Sequence, residues 1–364
     1  MRALVRIRPL VGEERHLVID GERFVQADGR VDREIETEGL WALPGLADCH
    51  CHLAADTLDD MSKPARFPQV RTRAFAEVTA GVFLVADKGW MDAVALRVVG
   101  IPPRRRPDFV GAGRIITSHG GYYPGFGVET DEAGLAAAVA AALPAQGWVK
   151  LIGDWPRKGV GAVTNFPEAA LAVAARVAHA GGARIAIHTM APETPGMAVR
   201  AGIDSIEHGL FLTEPDLDLL GARGGAWVPT VNCVAGLIER IGPERSGGKL
   251  LQQGLANIRD LIGSAPGRGV AVLAGTDLAL PHGEVAKEAI DLGAAGLSPE
   301  AAVASVSTAA YDYLGVSPGL VAGAPADAVF FDRDPREDLR VLTRPVLVLR
   351  HGRVLAAAPS ETTG

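Results

Sequence analysis

Cysteine is scarce in this sequence: three occur among 364 residues, two of them at Cys49 and Cys51 on either side of a histidine. So few cannot form a disulfide framework, and they suit a reducing compartment, so the cytoplasm is the expected location. Long apolar runs are also missing. No stretch approaches the roughly 20 apolar residues of a membrane span, and the N-terminal MRALVRIRPLVGEERHLVIDGERF meets charged residues before a signal-peptide core could form. A soluble, unprocessed protein with no membrane partner is expected. Nor is there a basic patch. The formal net charge is −7 with Lys and Arg scattered, which leaves no electrostatic footprint for nucleic acid. What is present is the composition of a globular chain, 48% hydrophobic and 22% charged, able to bury a large core.

Both ends of the chain read as short strands. ALVRIRPLV and HLVIDGERFVQADGRV lie in residues 1–44, with Asp20-Gly21 and Asp28-Gly29 as hairpin signals. ADAVFFDRD at 326–334 and PVLVLRHGRVLAA from 345 onward have the same alternating character. Residues 1–44 and 320–364 are therefore expected to pair into one small β-sandwich domain.

Between them short apolar runs alternate with Ala-rich stretches of helical period, the pattern of repeated β-α units. Strands are expected at 45–50, 81–87, 108–116, 147–153, 183–189, 204–209, 226–231 and 269–277. Helices are expected at 65–80, 89–99, 130–143, 166–181, 193–201, 214–223, 246–264, 284–296 and 298–314. Such pairs over roughly 250 residues have the size of a (β/α)₈ TIM barrel, here residues 45–319, within the α/β class. An open doubly wound sheet is the alternative, but no Gly-rich phosphate loop follows the first strand.

In such a barrel chemistry sits at the C-terminal ends of strands. The polar residues found there are His50 and His52, Lys150, His188, His208 and Asp277. Alternate strand residues share a face, so His50 and His52 can point to one metal while Cys51 points away. Imidazoles suit zinc and its neighbours, and Asp277 ends an apolar strand where an unpaired carboxylate would be costly. Lys150 fits a metal site only as a neutral amine that has added carbon dioxide to become an anionic carbamate; otherwise it is a plain strand-end lysine. A zinc-finger-like use of Cys49-His50-Cys51-His52 conflicts with strand geometry, which cannot bring adjacent residues to one ion.

These residues resemble the amidohydrolase superfamily in its binuclear branch with a bridging carboxylated lysine. LPGLADCHCHL at 43–53, IEHG at 206–209, LAGTD at 273–277 and GLVAGAPADAVFFDRDP at 319–335 carry the resemblance. The spacing from Lys150 through IAIHT and GMAVRAGIDSIEHG is most similar to prolidase-like and imidazolonepropionase-like members. The resemblance implies two divalent metal ions, zinc expected. His50, His52 and Asp277 would hold one, His188 and His208 the other, and Lys150 would bridge. It further implies a bridging hydroxide as nucleophile, Asp277 as the catalytic proton carrier, and hydrolysis of a C–N bond in a small amide, dipeptide or cyclic amide. Prolidase-like members carry a Thr-Gly-Gly-His-Gly type loop where this chain has SHGGYYPGFG at 118–127, which puts prolidase activity itself in doubt.

In that loop His119, Tyr122 and Tyr123 are candidates for substrate binding, with Trp155, Arg157 and His282 as weaker ones. Glu207 is expected to face away from His208 and to act as a packing or supporting partner, and Arg104-Arg105-Arg106 reads as a solvated turn. The partner is expected to be a small-molecule substrate, and a homo-oligomer is compatible with the Ala-rich helices. Two other readings stay open: a mononuclear deaminase of the same superfamily, and a silent barrel serving as a binding scaffold.

Overall fold

The computed structural model describes residues 2–61, 63–143, 147–317 and 319–357; the last part of the expected small domain, 358–364, lies outside them. In chain order the strands are β1 (Arg2–Pro9), β2 (Arg15–Asp20), β3 (Arg23–Gln26), β4 (Arg33–Ile35) and β5 (Trp41–Leu43), then β6 (Leu46–Cys51), β7 (Val82–Asp87), β8 (Asp108–Gly111), β9 (Ile116–Ser118) and β10 (Val128–Thr130). They continue with β11 (Trp148–Ile152), β12 (Asp154–Arg157), β13 (Gly161–Thr164), β14 (Arg184–Thr189), β15 (Ser205–His208), β16 (Ala226–Val228) and β17 (Ala271–Val272). Near the C-terminus come β18 (Ala328–Phe331), β19 (Leu347–Arg350) and β20 (Arg353–Ala357).

The strands of the two chain ends join in one hydrogen-bonded path, β20-β19-β18-β5-β1-β2-β3, with β4 on β1. The alternating apolar residues of β1 explain this. Ala3, Val5 and Ile7 are buried together with Leu17, Ile19, Phe24, Phe330 and Leu349 in a core of their own. Gly21, at φ +63, turns β2 into the antiparallel β3 as its Asp-Gly signal implies. Asp28-Gly29 does not make a hairpin: the chain continues past β3, and β4 pairs parallel with β1.

The central strands are parallel and buried on both faces, as for β7, where VFLVAD is buried throughout. β6, β7 and β8 form one parallel sheet, and β9, β11, β14, β15, β16 and β17 another, edged by β10. The expected strand at 108–116 is split between them: its first part pairs with β7 and its continuation with β11. At the far ends the series meets itself, since Cys49 N donates to Ala274 O and Asp277 N donates to His50 O, each at 2.8 Å. One face of these strands packs Ala47, Cys49, Leu84, Ala186 and Ala226 around Tyr311 and Tyr313. On the other, Val85, Leu151, Ile185, Ile187 and Trp227 pack against the helices.

Most expected helices are present with shorter bounds, among them Phe67–Thr79, Glu168–Ala180, Thr194–Arg200, Glu214–Ala222 and Ser246–Leu261. Glu214–Ala222 starts at a capping box in which Thr213 and Asp216 satisfy each other's backbone N–H. The expected helix at 298–314 is two, Pro299–Ser305 and Thr308–Leu314, and that at 89–99 reduces to a 3₁₀ stretch, Val94–Gly100. Among the elements not expected are β10, the β12–β13 hairpin and the helix Val231–Ile241.

Candidate metal centre

Five of the six proposed ligands sit at or just beyond the C-terminal ends of the parallel strands, and Lys150 sits within one. His50 lies on β6, Lys150 on β11, His188 on β14 and His208 ends β15, with His52 and Asp277 just past β6 and β17. The structure brings the carboxylate into the middle of the imidazoles. Asp277 Oδ1 is 3.4 Å from His50 Nε2 and 3.2 Å from His52 Nε2, while Oδ2 is 3.6 Å from His208 Nε2. His208 Nε2 is in turn 2.9 Å from His188 Nδ1. His50, His52 and Asp277 meet closely enough to share one ion.

Local backbone geometry produces this convergence. In β15 the alternation puts Ser205 and Glu207 on the site face and Ile206 with the helices, so a regular strand would also turn His208 outward. Instead His208 has φ +62, and its ring swings inward. This corrects the expected direction of Glu207, whose side chain also faces the site, but not its expectation as a supporting partner rather than a ligand. Thr230, Asp277 and Leu278 share the left-handed region at φ +50, +42 and +62, an arrangement that tends to collect where a site constrains its backbone. On β6 the ladder shifts register between Asp48 and Cys51. Cys51 there packs toward the helices and Cys49 toward the strand interior, so no thiol of this run joins the imidazoles.

Around the ligands lies a set of buried supports. Glu207 is fully buried; its Oε2 lies 2.7 Å from His50 Nδ1, though off the line a hydrogen bond prefers. Its Oε1 accepts from Ser205 Oγ at 2.6 Å and pairs with Lys88 Nζ at 2.9 Å. Gly89 O lies 2.7 Å from His52 Nδ1, and Thr230 Oγ1 lies 2.6 Å from His208 Nδ1. A partner on one ring nitrogen fixes which nitrogen is free to bind a cation. The thiol of Cys233 donates to Asp277 Oδ2 at 3.2 Å. Lys88 stands one residue past β7, so the strand-end rule that found the ligands also applies to it. Thr230 likewise falls near the end of the strand expected at 226–231, whereas Cys233, inside the unexpected helix, had no such signal.

Burial drives the electrostatics. Burial pushes His50 down to about 4, and burial with Lys150 nearby pushes His188 to about 3. Burial and the His188 ring hold His208 well below the usual imidazole range. The rings are therefore neutral at pH 7, the form that binds metal ions. Burial alone would raise Asp277, but the surrounding imidazoles of His50, His208 and His52 hold it well below the usual carboxylate range. Burial lowers the Lys150 amine to about 8, against the pull of Glu207. Lys150 is 2% exposed, and its ammonium has no hydrogen bond or ion pair with any described residue. A buried amine beside neutral imidazoles, with the carboxylates of Asp277 and Glu207 acting on it, fits a site built to receive cations.

Above the ligands a cavity is lined by Tyr122, Tyr123, Trp155, Met190, Leu237 and Leu278 as well as His50, His52, Lys150, His188 and Asp277. Tyr122 and Trp155 meet edge to face with centroids 4.6 Å apart, and Trp155 lies 6.1 Å from His188. Of the expected substrate residues, Tyr122 and Tyr123 therefore face the cavity. His119 does not join them: its side chain is 70% exposed and stands 3.4 Å from Glu129, because Gly120, at φ +63, turns the chain between them. Arg157 is directed to Ser118 Oγ at 3.1 Å. His282 is held between Glu77 and the carbonyl of Ala55, each at 2.8 Å.

A family model described as "Amidohydrolase family" matches residues 157–355. An uncharacterized protein of Mycobacterium tuberculosis (strain ATCC 25618 / H37Rv) is 34% identical over 353 residues, which is 90% of each chain. Among solved structures, a Xaa-Pro dipeptidase with bound methionine superposes with a TM-score of 0.80 at 21% identity, covering 97% of this chain and 99% of the other. A. niger ochratoxinase does so with a TM-score of 0.78 at 17% identity, covering 98% and 96%. These structural matches establish a TIM-barrel-like α/β fold.

Proposed function

Since the chain belongs to the amidohydrolase family and is a hydrolase acting on carbon–nitrogen bonds, we propose that it works through two divalent cations at the strand-end site, on a small amide, dipeptide or cyclic amide. The observation that carries the reading is the convergence of His50, His52 and His208 on Asp277 beside a buried lysine. His50, His52 and Asp277 would hold one cation and His188 and His208 the other, with zinc the expected metal. Such a pair, when bound, supplies an activated water and polarises the scissile carbonyl.

The remaining work falls to side chains. Lys150, once neutral, adds carbon dioxide to become a carbamate, releasing one proton and gaining the negative charge that lets it sit between two cations. Asp277 takes the proton of the attacking water and returns it to the leaving nitrogen. Glu207 and Thr230 hold the His50 and His208 rings in place, and the aromatic wall excludes water from the reacting carbonyl. The same reading takes the parallel strands as a closed (β/α)₈ barrel over residues 45–319. Residues 1–44 and 320–364 then form the small β-sandwich domain. The hydrogen bonds from Cys49 to Ala274 and from Asp277 to His50 support closure. We place the enzyme in the cytoplasm, acting on a small molecule and assembling as a homo-oligomer.

Elemental analysis of purified protein tests the centre directly. Close to two equivalents of metal per chain is expected. One equivalent would favour a mononuclear deaminase-like site. None after repletion with zinc, manganese or cobalt would leave only a binding scaffold.

A further inference from the structure

Resting on the hydrolase reading, we infer that the substrate is an uncharged aryl or bulky apolar amide with no free carboxylate. The cavity above the ligands is walled by Tyr122, Tyr123, Trp155, Met190, Leu237 and Leu58. Among its described lining residues, every lysine or histidine belongs to the proposed metal set and no arginine is present. The cations nearest in sequence lie outside that lining. Arg240, beyond Leu237, pairs with Asp59 at 2.7 Å, and Lys63, beyond Met61, pairs with Asp60 at 2.9 Å. Arg157, past Trp155, is turned to Ser118.

A carboxylate set against the aromatic wall, away from the cations the ligands would hold, would lose its hydration and find no guanidinium or free ammonium among the lining residues in return, a costly exchange. An aromatic ring meets the reverse situation. Tyr122 and Trp155 stand edge to face at 4.6 Å, and Tyr123 and Trp155 centroids lie 5.0 Å apart, so a further ring completes the cluster favourably. The Tyr122 and Tyr123 hydroxyls make no hydrogen bond to another described residue. They remain neutral donors for a carbonyl or other uncharged oxygen.

The test uses N-benzoylglycine and its uncharged amide, N-benzoylglycinamide, with the metal-loaded full chain and release of benzoate as readout. The amide should have a kcat/KM at least about tenfold higher. Trp155→Ala should raise KM for the amide, and Trp155→Phe should restore it, which separates ring recognition from misfolding. Equal or faster hydrolysis of the acid would overturn the inference. If neither compound is hydrolysed, the hydrolytic reading fails for this pair, and equilibrium dialysis decides the ligand class. Retention of the amide by the parent but not by Trp155→Ala sustains the inference; no retention, or stronger retention of the acid, overturns it.

Discussion

Lys150 and Asp277 face one cavity with opposite charge requirements, and substitution separates their roles. Lys150 is buried; its value to the site is the anionic carbamate it can become. Lys150→Ala is expected to be inactive, then to regain part of its rate when a short carboxylic acid is added, since a diffusible carboxylate can occupy the space left by the carbamate. Full activity without the acid would show that Lys150 is no bridge. Asp277 lies among His50, His52 and His208. Asp277→Asn keeps the shape but loses the proton acceptor. Turnover should fall by about 10²- to 10⁴-fold with a smaller loss of metal, as read by rate and metal content on one preparation. At this scale the ligands were legible because all but Lys150 fall at the end of an apolar run and Lys150 lies within one, a pattern visible in one dimension. The facing of Glu207 and the contact of Thr230 with His208 were not. Whether Glu207 faces the site depends on the parity of β15 and on the φ of +62 at His208, and Thr230 is brought to His208 by the fold alone.

The helix Val231–Ile241 shows how an element escapes a periodicity reading. AWVPTV reads as a continuous strand, yet the strand stops at Val228 and the helix starts at Val231. What starts it is a carboxylate distant in sequence: Glu288 accepts from Val231 N at 2.6 Å, Asn232 N at 3.1 Å and Asn232 Nδ2 at 2.7 Å. No local sequence signal reports that contact. The helices that were legible carry their own start signals, such as Thr213 with Asp216. Burial raises Glu288 to about 7, outweighing the bonds from Asn232 and Val231 that favour its charged form. The folded state thus binds this proton more tightly than the unfolded chain. The stabilisation it gives is fully present below the ordinary glutamate range of about 4.3 and is lost as pH rises to about 7. Glu288→Gln should remove that slope. Plotted against pH, the difference in Tm between parent and variant should change through this window and level off above it; a pH-independent difference would refute the assignment.

For the molecule as a whole the question is what ties the terminal sheet to the parallel strands. Arg350 on β19 is 1% exposed, and its Nη1 pairs with Asp327 at 2.7 Å. Its Nη2 reaches Asp108 Oδ1 on β8 at 3.3 Å and the carbonyl of Arg106 at 3.2 Å, and the guanidinium lies 4.9 Å from the centre of the Phe83 ring. The arginine run at 104–106, expected as a solvated turn, is therefore in part a docking lip, with the Arg106 backbone accepting from the other sheet. The β character of both chain ends was legible from alternation. This clamp was not, since its partners lie 23 and 242 residues apart in the chain. Removing one partner of a buried pair leaves the other charge uncompensated, at about 3–5 kcal/mol. Arg350→Met should lower unfolding stability by that order in denaturant titration, because Asp327 stays buried without its cation. Metal content and turnover at 25 °C should match the parent, since no ligand touches Arg350. Unchanged stability would mean that apolar packing alone joins the two sheets, and lost metal would mean that the clamp also shapes the strand ends.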